Sequence, residues 1–400
     1  MRIIKTCIKN RSIKLIFALT VIGIAPGLSF LTTILLPDAY EYMSEAAKYS
    51  DIILKSEINK GNEINNGSLV LYTPDIVSPV DADNTAKPVA KEEKKTAELL
   101  ARNISETDED ISVFKNNSGE IYEITFDKNL GPDFINLPKG GQVRNCTELS
   151  NEFVIEESVK DFDIEPEFYS DEPQVLIMHT HTTESYEIEE KSYYDSEYIC
   201  RSSDPDNSVV AVGHAIAKEL SDAGISVIHD GTIHDLQYTG AYDRSLDTVN
   251  AILNEYPSIK IVLDIHRDAI EDGGDRASAV TEINGKKAAQ VMIISAADDG
   301  TYDMPDYLEN FHFACALQQS MESRYPTITR PVLFQYCHYN QHTTTGSLLL
   351  EVGSHGNTIE QAVYTGELIG KSIVDLFTER MVYEQPVMRT MPRFFIDRLR

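Results

Sequence analysis

Three stretches of the chain carry histidine and carboxylate side chains where apolar runs end. They are "VLIMHTHTTE" (Val175 to Glu184), "IKIVLDIHRDA" (Ile259 to Ala269) and "SLLLEVGSHGN" (Ser347 to Asn357). Such groups are costly beside apolar side chains unless they are paired or used. Neutral imidazole and carboxylate are standard Zn2+ donors, and a catalytic zinc takes three protein ligands plus water. If the three ends converge, His181, Glu184 and His266 are the preferred ligands. Glu351 is then free to take a proton from the bound water. Strict alternation puts His179 and His181 on one face, but chain leaving a sheet need not keep that rule. On the outgoing turn His181 and Glu184 can reach one ion, so His179 is assigned to the second layer or beside substrate. Arg267 stands next to His266 and can neutralise Glu351, an arrangement with no catalysis in it. "YCHYNQHTTTG" (Tyr336 to Gly346) precedes the Glu351 run, and Tyr339 and Asn340 there suit recognition of amides and hydroxyls at a pocket rim.

The elements around these ends alternate. Strand-length apolar runs at "VLIMH", "SVIHD", "IKIVLDIHRDA", "AAQVMIISA" and "SLLLEVG" are separated by helical patterns such as "VVAVGHAIAKELSDAGI" and "SLDTVNAILNEYP". "TIEQAVYTGELIGKSIVDLFTER" closes the series as a helix. This order predicts an α/β domain over residues 174–380, a mostly parallel sheet with helices on both faces. Ligands of such sheets gather beyond the carboxyl ends of strands. Residues 381–400 form a C-terminal tail.

The amino-terminal part differs. Residues 1–14 carry five positive charges and no acid, and Leu15 to Pro37 are 23 residues without a charge. That length can cross a hydrocarbon core of about 30 Å. The basic flank places the first residues in the cytoplasm and the rest outside, anchored to the cell membrane by a single pass. A cleaved signal peptide is the rival, disfavoured by the length of the run and the lack of a clean cleavage site. Residues 38–173 read as a low-order stalk, with "GEIYEITFD" (Gly119 to Asp127) as a strand. The chain has 35 basic and 64 acidic residues, a net charge of -29, which argues against a nucleic-acid partner. Five cysteines at irregular spacings form neither a disulfide framework nor a zinc-cysteine motif.

The segments "LIMHTHTTESY", "NSVVAVG", "LDIHRDA", "YNQH" and "LLLEVGSHGNTIEQA" together resemble the stage II sporulation protein P family, in that family's order, over about 200 residues from Val175 to roughly Glu379. The resemblance implies a zinc-dependent hydrolase acting on peptidoglycan outside the mother-cell membrane. Its implied reaction is cleavage of the muramoyl-L-alanine amide, and of stem-peptide cross-links, during engulfment of the forespore. Implied partners are the sporulation stage II proteins D and M. The segments are also similar to zinc-type N-acetylmuramoyl-L-alanine amidases, whose histidines fall on His181 and His266 and whose late glutamate falls on Glu351. Those amidases draw a ligand glutamate from the start of the first long helix. Here that place is "SSDPDNSVV", without a glutamate, and Glu184 is assigned the role instead. Two other readings remain: a multi-metal phosphoesterase, since "HTH" also opens such sites, and a non-catalytic wall-binding scaffold.

Overall fold

The computed structural model describes residues 69–72, 117–195, 198 and 200–384. The chain divides between Glu63 and Ile64, and all described residues lie in the second unit. In chain order the strands are β1 (Leu69–Tyr72), β2 (Asn117–Ile124), β3 (Phe134–Asn136), β4 (Gln142–Asn145), β5 (Val175–Met178), β6 (Tyr193–Asp195) and β7 (Val227–Asp230). They continue as β8 (Ile261–Asp268), β9 (Glu271–Asp272), β10 (Asp275–Ile283), β11 (Lys286–Ala289), β12 (Val291–Ala297), β13 (Val332–Tyr336) and β14 (Ser347–Ser354). The helices are α1 (Asn151–Ser158), α2 (Val209–Asp222), α3 (Ala241–Glu255), α4 (Tyr307–Arg324) and α5 (Ile359–Glu384).

Nine strands form the main sheet in the order β1-β7-β5-β8-β14-β12-β13-β4-β3. Pairing is parallel along β7-β5-β8-β14 and along β12-β13-β4. It is antiparallel at β1-β7, β14-β12 and β4-β3. The sheet is therefore mixed, though its functional centre is parallel. A second sheet runs β11-β10-β2-β6; the strand expected at "GEIYEITFD" is its β2, while its pairing with β10 had no sequence signal.

Side-chain alternation sets which residues face which layer. Val175 and Ile177 of β5, Leu263 and Ile265 of β8, and Leu348, Leu350 and Val352 of β14 share a core with Val212 and Ile216 of α2 and Ile369 and Ile373 of α5. Leu176, Met178 and Val262 pack on the opposite face against Val249 and Ile252 of α3. Continuing the period of two turns Asp264, His266 and Glu351 to that opposite face.

The expectation of a low-order stalk fails for residues 117–173. β4 adds to the main sheet beside β13, and β2 pairs in parallel with β10. Within the acidic stretch of residues 157–173, Phe162 and Ile164 are core residues, and the Phe162 ring lies 5.4 Å from that of Phe313. Those few apolar positions outweigh the flanking charges of Asp161, Asp163 and Glu165, which stay exposed. The anchor at 15–37 and the cytoplasmic tail lie outside the described residues, as do residues 385–400. Among the described residues no helix is long and apolar enough to cross a membrane.

β14 breaks register between Glu351 and Ser354. Gly353 there has φ of 66°, and a Cβ would stand 2.7 Å from Asn357 Oδ1 and 2.9 Å from the Ala289 side chain. Asn357 is itself a fixed strut. Its Oδ1 accepts from the Ser354 and Ala279 backbone N–H groups, and its Nδ2 donates to the Ala279 carbonyl. Replacing Gly353 with Ala combines left-handed strain with a clash, so we expect a loss of about 1–3 kcal/mol. Urea unfolding should show a lower midpoint at unchanged slope; an unchanged midpoint would refute this role.

Candidate functional site

His181, Glu184, His266 and Glu351 come from the carboxyl ends of three adjacent parallel strands, β5, β8 and β14, or from the turn just beyond. Glu351 and His266 are register partners across β14 and β8. The His181 and His266 rings meet edge to face with centroids 5.4 Å apart. His266 Nδ1 lies 3.4 Å from Glu184 Oε2. On its other side, His266 Nε2 is 2.9 Å from Asp264 Oδ1, though out of line for a hydrogen bond. Asp264 is held by the Thr180 backbone N–H at 2.8 Å and the Thr180 hydroxyl at 2.7 Å.

The charges follow from this packing. Burial pushes the His181 imidazole down to about 4, against the pull of Glu184, so its ring is neutral at pH 7. Burial works against ionisation of Glu184 as well, but His266, Arg267 and Arg201 outweigh it and hold the carboxyl below its usual range. For His266 burial is again opposed, here by Asp264 and Glu184, which keep the ring well above its usual range. Glu351 has no such support. Burial pushes its carboxyl up to about 8, and the opposing charge of His266 is not enough to prevent it.

The remaining candidates fall in different places. His179 continues the α2 face of β5 and is fully buried. Its Nδ1 lies 3.1 Å from the Ile265 carbonyl and its Nε2 2.9 Å from His229 Nε2. Gly213 of α2 makes room for that pair, since a Cβ there would meet both rings at 2.7–2.8 Å. Arg267 is turned into the loops: its N–H donates to Glu184 Oε2, Nε to the Ser185 carbonyl and Nη2 to the Cys200 carbonyl. Asn340 Nδ2 donates to the Tyr242 carbonyl and meets Ser245 Oγ at 3.1 Å, fixing the first turn of α3. Tyr339 stands at the rim, its ring 5.4 Å from that of Tyr242.

Sequence reasoning gave no role to Asp264 or Tyr242 and passed over Asp235, Tyr238 and Arg201. Asp264 had a signal, because in "LDIHRD" it sits two residues before His266 and so shares its face. Tyr242 rests nearly parallel to the His266 ring at 6.4 Å. It arrives from α3, where nothing but tertiary packing marks it.

Among the described residues no group of three or more His, Cys, Asp or Glu side chains already surrounds one ion-sized position. The donor chemistry nevertheless fits a metal. The 3.4 Å between His266 Nδ1 and Glu184 Oε2 matches the edge of a tetrahedron with bonds of about 2.1 Å. His181 Nδ1 and Glu351 Oε2 are both shielded from solvent and lack a hydrogen-bond partner. Asp264 behind His266 supplies the carboxylate that metal-bound histidines commonly carry on their far nitrogen.

The fold and site define an α/β protein with an imidazole and carboxylate centre at the ends of parallel strands. The chain belongs to the stage II sporulation protein P family, whose model matches residues 51–374. Stage II sporulation protein P of Bacillus subtilis (strain 168) is 27% identical over 221 residues, 52% of this chain and 51% of that protein. The match thus spans about half the length of that relative. Among solved structures, an N-acetylmuramoyl-L-alanine amidase from Clostridium difficile 630 is 14% identical, covering 54% of this chain and 100% of that one with a TM-score of 0.33. The CwlD amidase from Clostridioides difficile, solved in complex with the GerS lipoprotein, is 11% identical, covering 51% and 98% with a TM-score of 0.33.

Proposed function

We propose that this chain is a zinc-dependent peptidoglycan hydrolase that cleaves the amide between muramic acid and L-alanine in forespore engulfment. The observation that carries this reading is the meeting of two imidazoles and two carboxylates on three adjacent parallel strands, with buried donor atoms left unpaired. Membership of the stage II sporulation protein P family supports the cellular setting. His181, Glu184 and His266 are the residues to hold the ion. When bound, zinc supplies Lewis-acid polarisation of a carbonyl and lowers the pKa of its water to about 7.

The chain's own residues do the rest. Glu351 takes the proton of the attacking water and returns it to the leaving amine; burial lifts its carboxyl to about 8, so only its ionised form serves as the base. Asp264 draws the His266 ring by charge, its Oδ1 standing 2.9 Å from Nε2. Tyr242 and Tyr339 offer aromatic faces on which a sugar or peptide can rest. In the same reading the catalytic face lies outside the cell membrane, in a complex with the sporulation stage II proteins D and M, and stem-peptide cross-links are a second class of bond cut.

The test is digestion of purified sacculi by the full chain, with mass spectrometry of the products. Free stem peptides beginning with L-alanine are expected. A chelator should abolish their release and added zinc restore it. Undiminished release under chelator would reject the metal, and products cut only within the glycan strand would reject the amidase reading.

A further inference from the structure

Three residues beside the site have no part in the scheme above. Arg201 forms a backbone bridge with Glu184, so it is fastened to the turn that carries two of the proposed ligands. Its Nη1 lies 2.5 Å from Asp235 Oδ2 and donates to Thr183 Oγ1 at 3.3 Å. Its Nη2 lies 3.7 Å from Glu184 Oε1. The guanidinium also stands 5.6 Å from the centroid of Tyr238. That ring stacks on His181 at 4.6 Å and 3° from parallel.

Asp235 is the other half of the arrangement, and its side chain is wholly buried. It accepts from the Thr183 backbone N–H at 3.1 Å and from the Thr183 hydroxyl at 2.7 Å. Its Oδ2 is 3.9 Å from His181 Nδ1. The loop of residues 231–240, between β7 and α3, therefore clamps the turn of residues 181–184 through one carboxylate and one aromatic ring.

A guanidinium so close to Glu184 is a rival to any cation that Glu184 must bind, and in a poorly solvated site that competition is strong. We propose that Asp235 and Arg201 are positioning residues for metal capture. Asp235 neutralises Arg201, which frees Glu184 for the ion, and the pair fixes the turn that presents His181 and Glu184. This rests on the metal-binding reading above.

The pair is tested by competition titration of zinc against a chromophoric chelator, using the full chain. Asp235→Asn leaves the cation uncompensated and is expected to bind zinc about 10–100-fold more weakly, the usual cost of losing a group that supports metal ligands. Adding Arg201→Gln removes the rival charge, and the double variant should recover most of that loss. A purely structural role predicts the reverse, with the double variant weaker still. Equal affinity of Asp235→Asn and wild type, or a double variant no better than the single, overturns the proposal. Should Asp235→Asn not fold, Arg201→Lys is read in the same titration. It keeps the charge but cannot span both partners, so several-fold weaker binding is expected and unchanged affinity overturns. A wild-type chain whose zinc uptake does not depend on His266 sinks the metal reading and this inference together. Zinc uptake that needs His266 but ignores Asp235 sinks this inference alone.

Discussion

Glu351→Gln should lower the rate of stem-peptide release by about 10²–10⁴-fold, the range that a positioned general base contributes. The substitution keeps shape and removes only the ability to take a proton. Zinc content per chain should therefore stay at the wild-type value. Thermal stability should not fall either, because Glu351 Oε2 is shielded from water and has no hydrogen-bond partner to lose. A rate near wild type would remove Glu351 from the mechanism. A variant that had lost its metal would instead show Glu351 to be a ligand.

His266→Ala should have the largest effect on the metal-free protein. His266 Nε2 lies 2.9 Å from Asp264 and its Nδ1 3.4 Å from Glu184, so one ring serves two buried carboxylates. Deleting one partner of a buried charged pair costs about 3–5 kcal/mol, because the other charge is stranded. Urea unfolding of the zinc-free variant should show that loss, and zinc-loaded material should not regain it, since a ligand is gone. His179→Ala separates position from ligation. It removes a ring bonded to the Ile265 carbonyl and His229 on the other face, so zinc should still bind.

The meeting of the polar strand ends was more legible than the architecture around it. "HTHTTE", "LDIHRDA" and "LLLEVG" each announce themselves, because charge at the end of a buried strand needs a reason. Adjacent parallel strands then bring them together without further coding. The period of two also separates Asp264 and His266 from Ile265, and the structure carries it through to His179, which faces α2 and not the ligands or substrate expected of it. What the sequence did not show is pairing between distant segments. β4 matches β13, and β2 matches β10, through backbone hydrogen bonds that leave almost no mark on residue choice. The loop of residues 231–240 was equally silent: Asp235 and Tyr238 look like ordinary polar loop residues until the fold lays them over His181.

The order of the main sheet bears on how the chain must fold. Its outer strands, β1 at one margin and β4-β3 at the other, come from early in the sequence, whereas its centre comes from later. Val143 pairs with Val332, and Tyr72 with Val227, so each margin waits on chain made long after it. Contacts of such sequence separation close slowly. Until they close, β7 and β13 present bare hydrogen-bonding edges, the condition under which nascent sheets join to neighbours. The period of greatest hazard therefore falls after β5, β8 and β14 have assembled and before the first-made segments return to seal them.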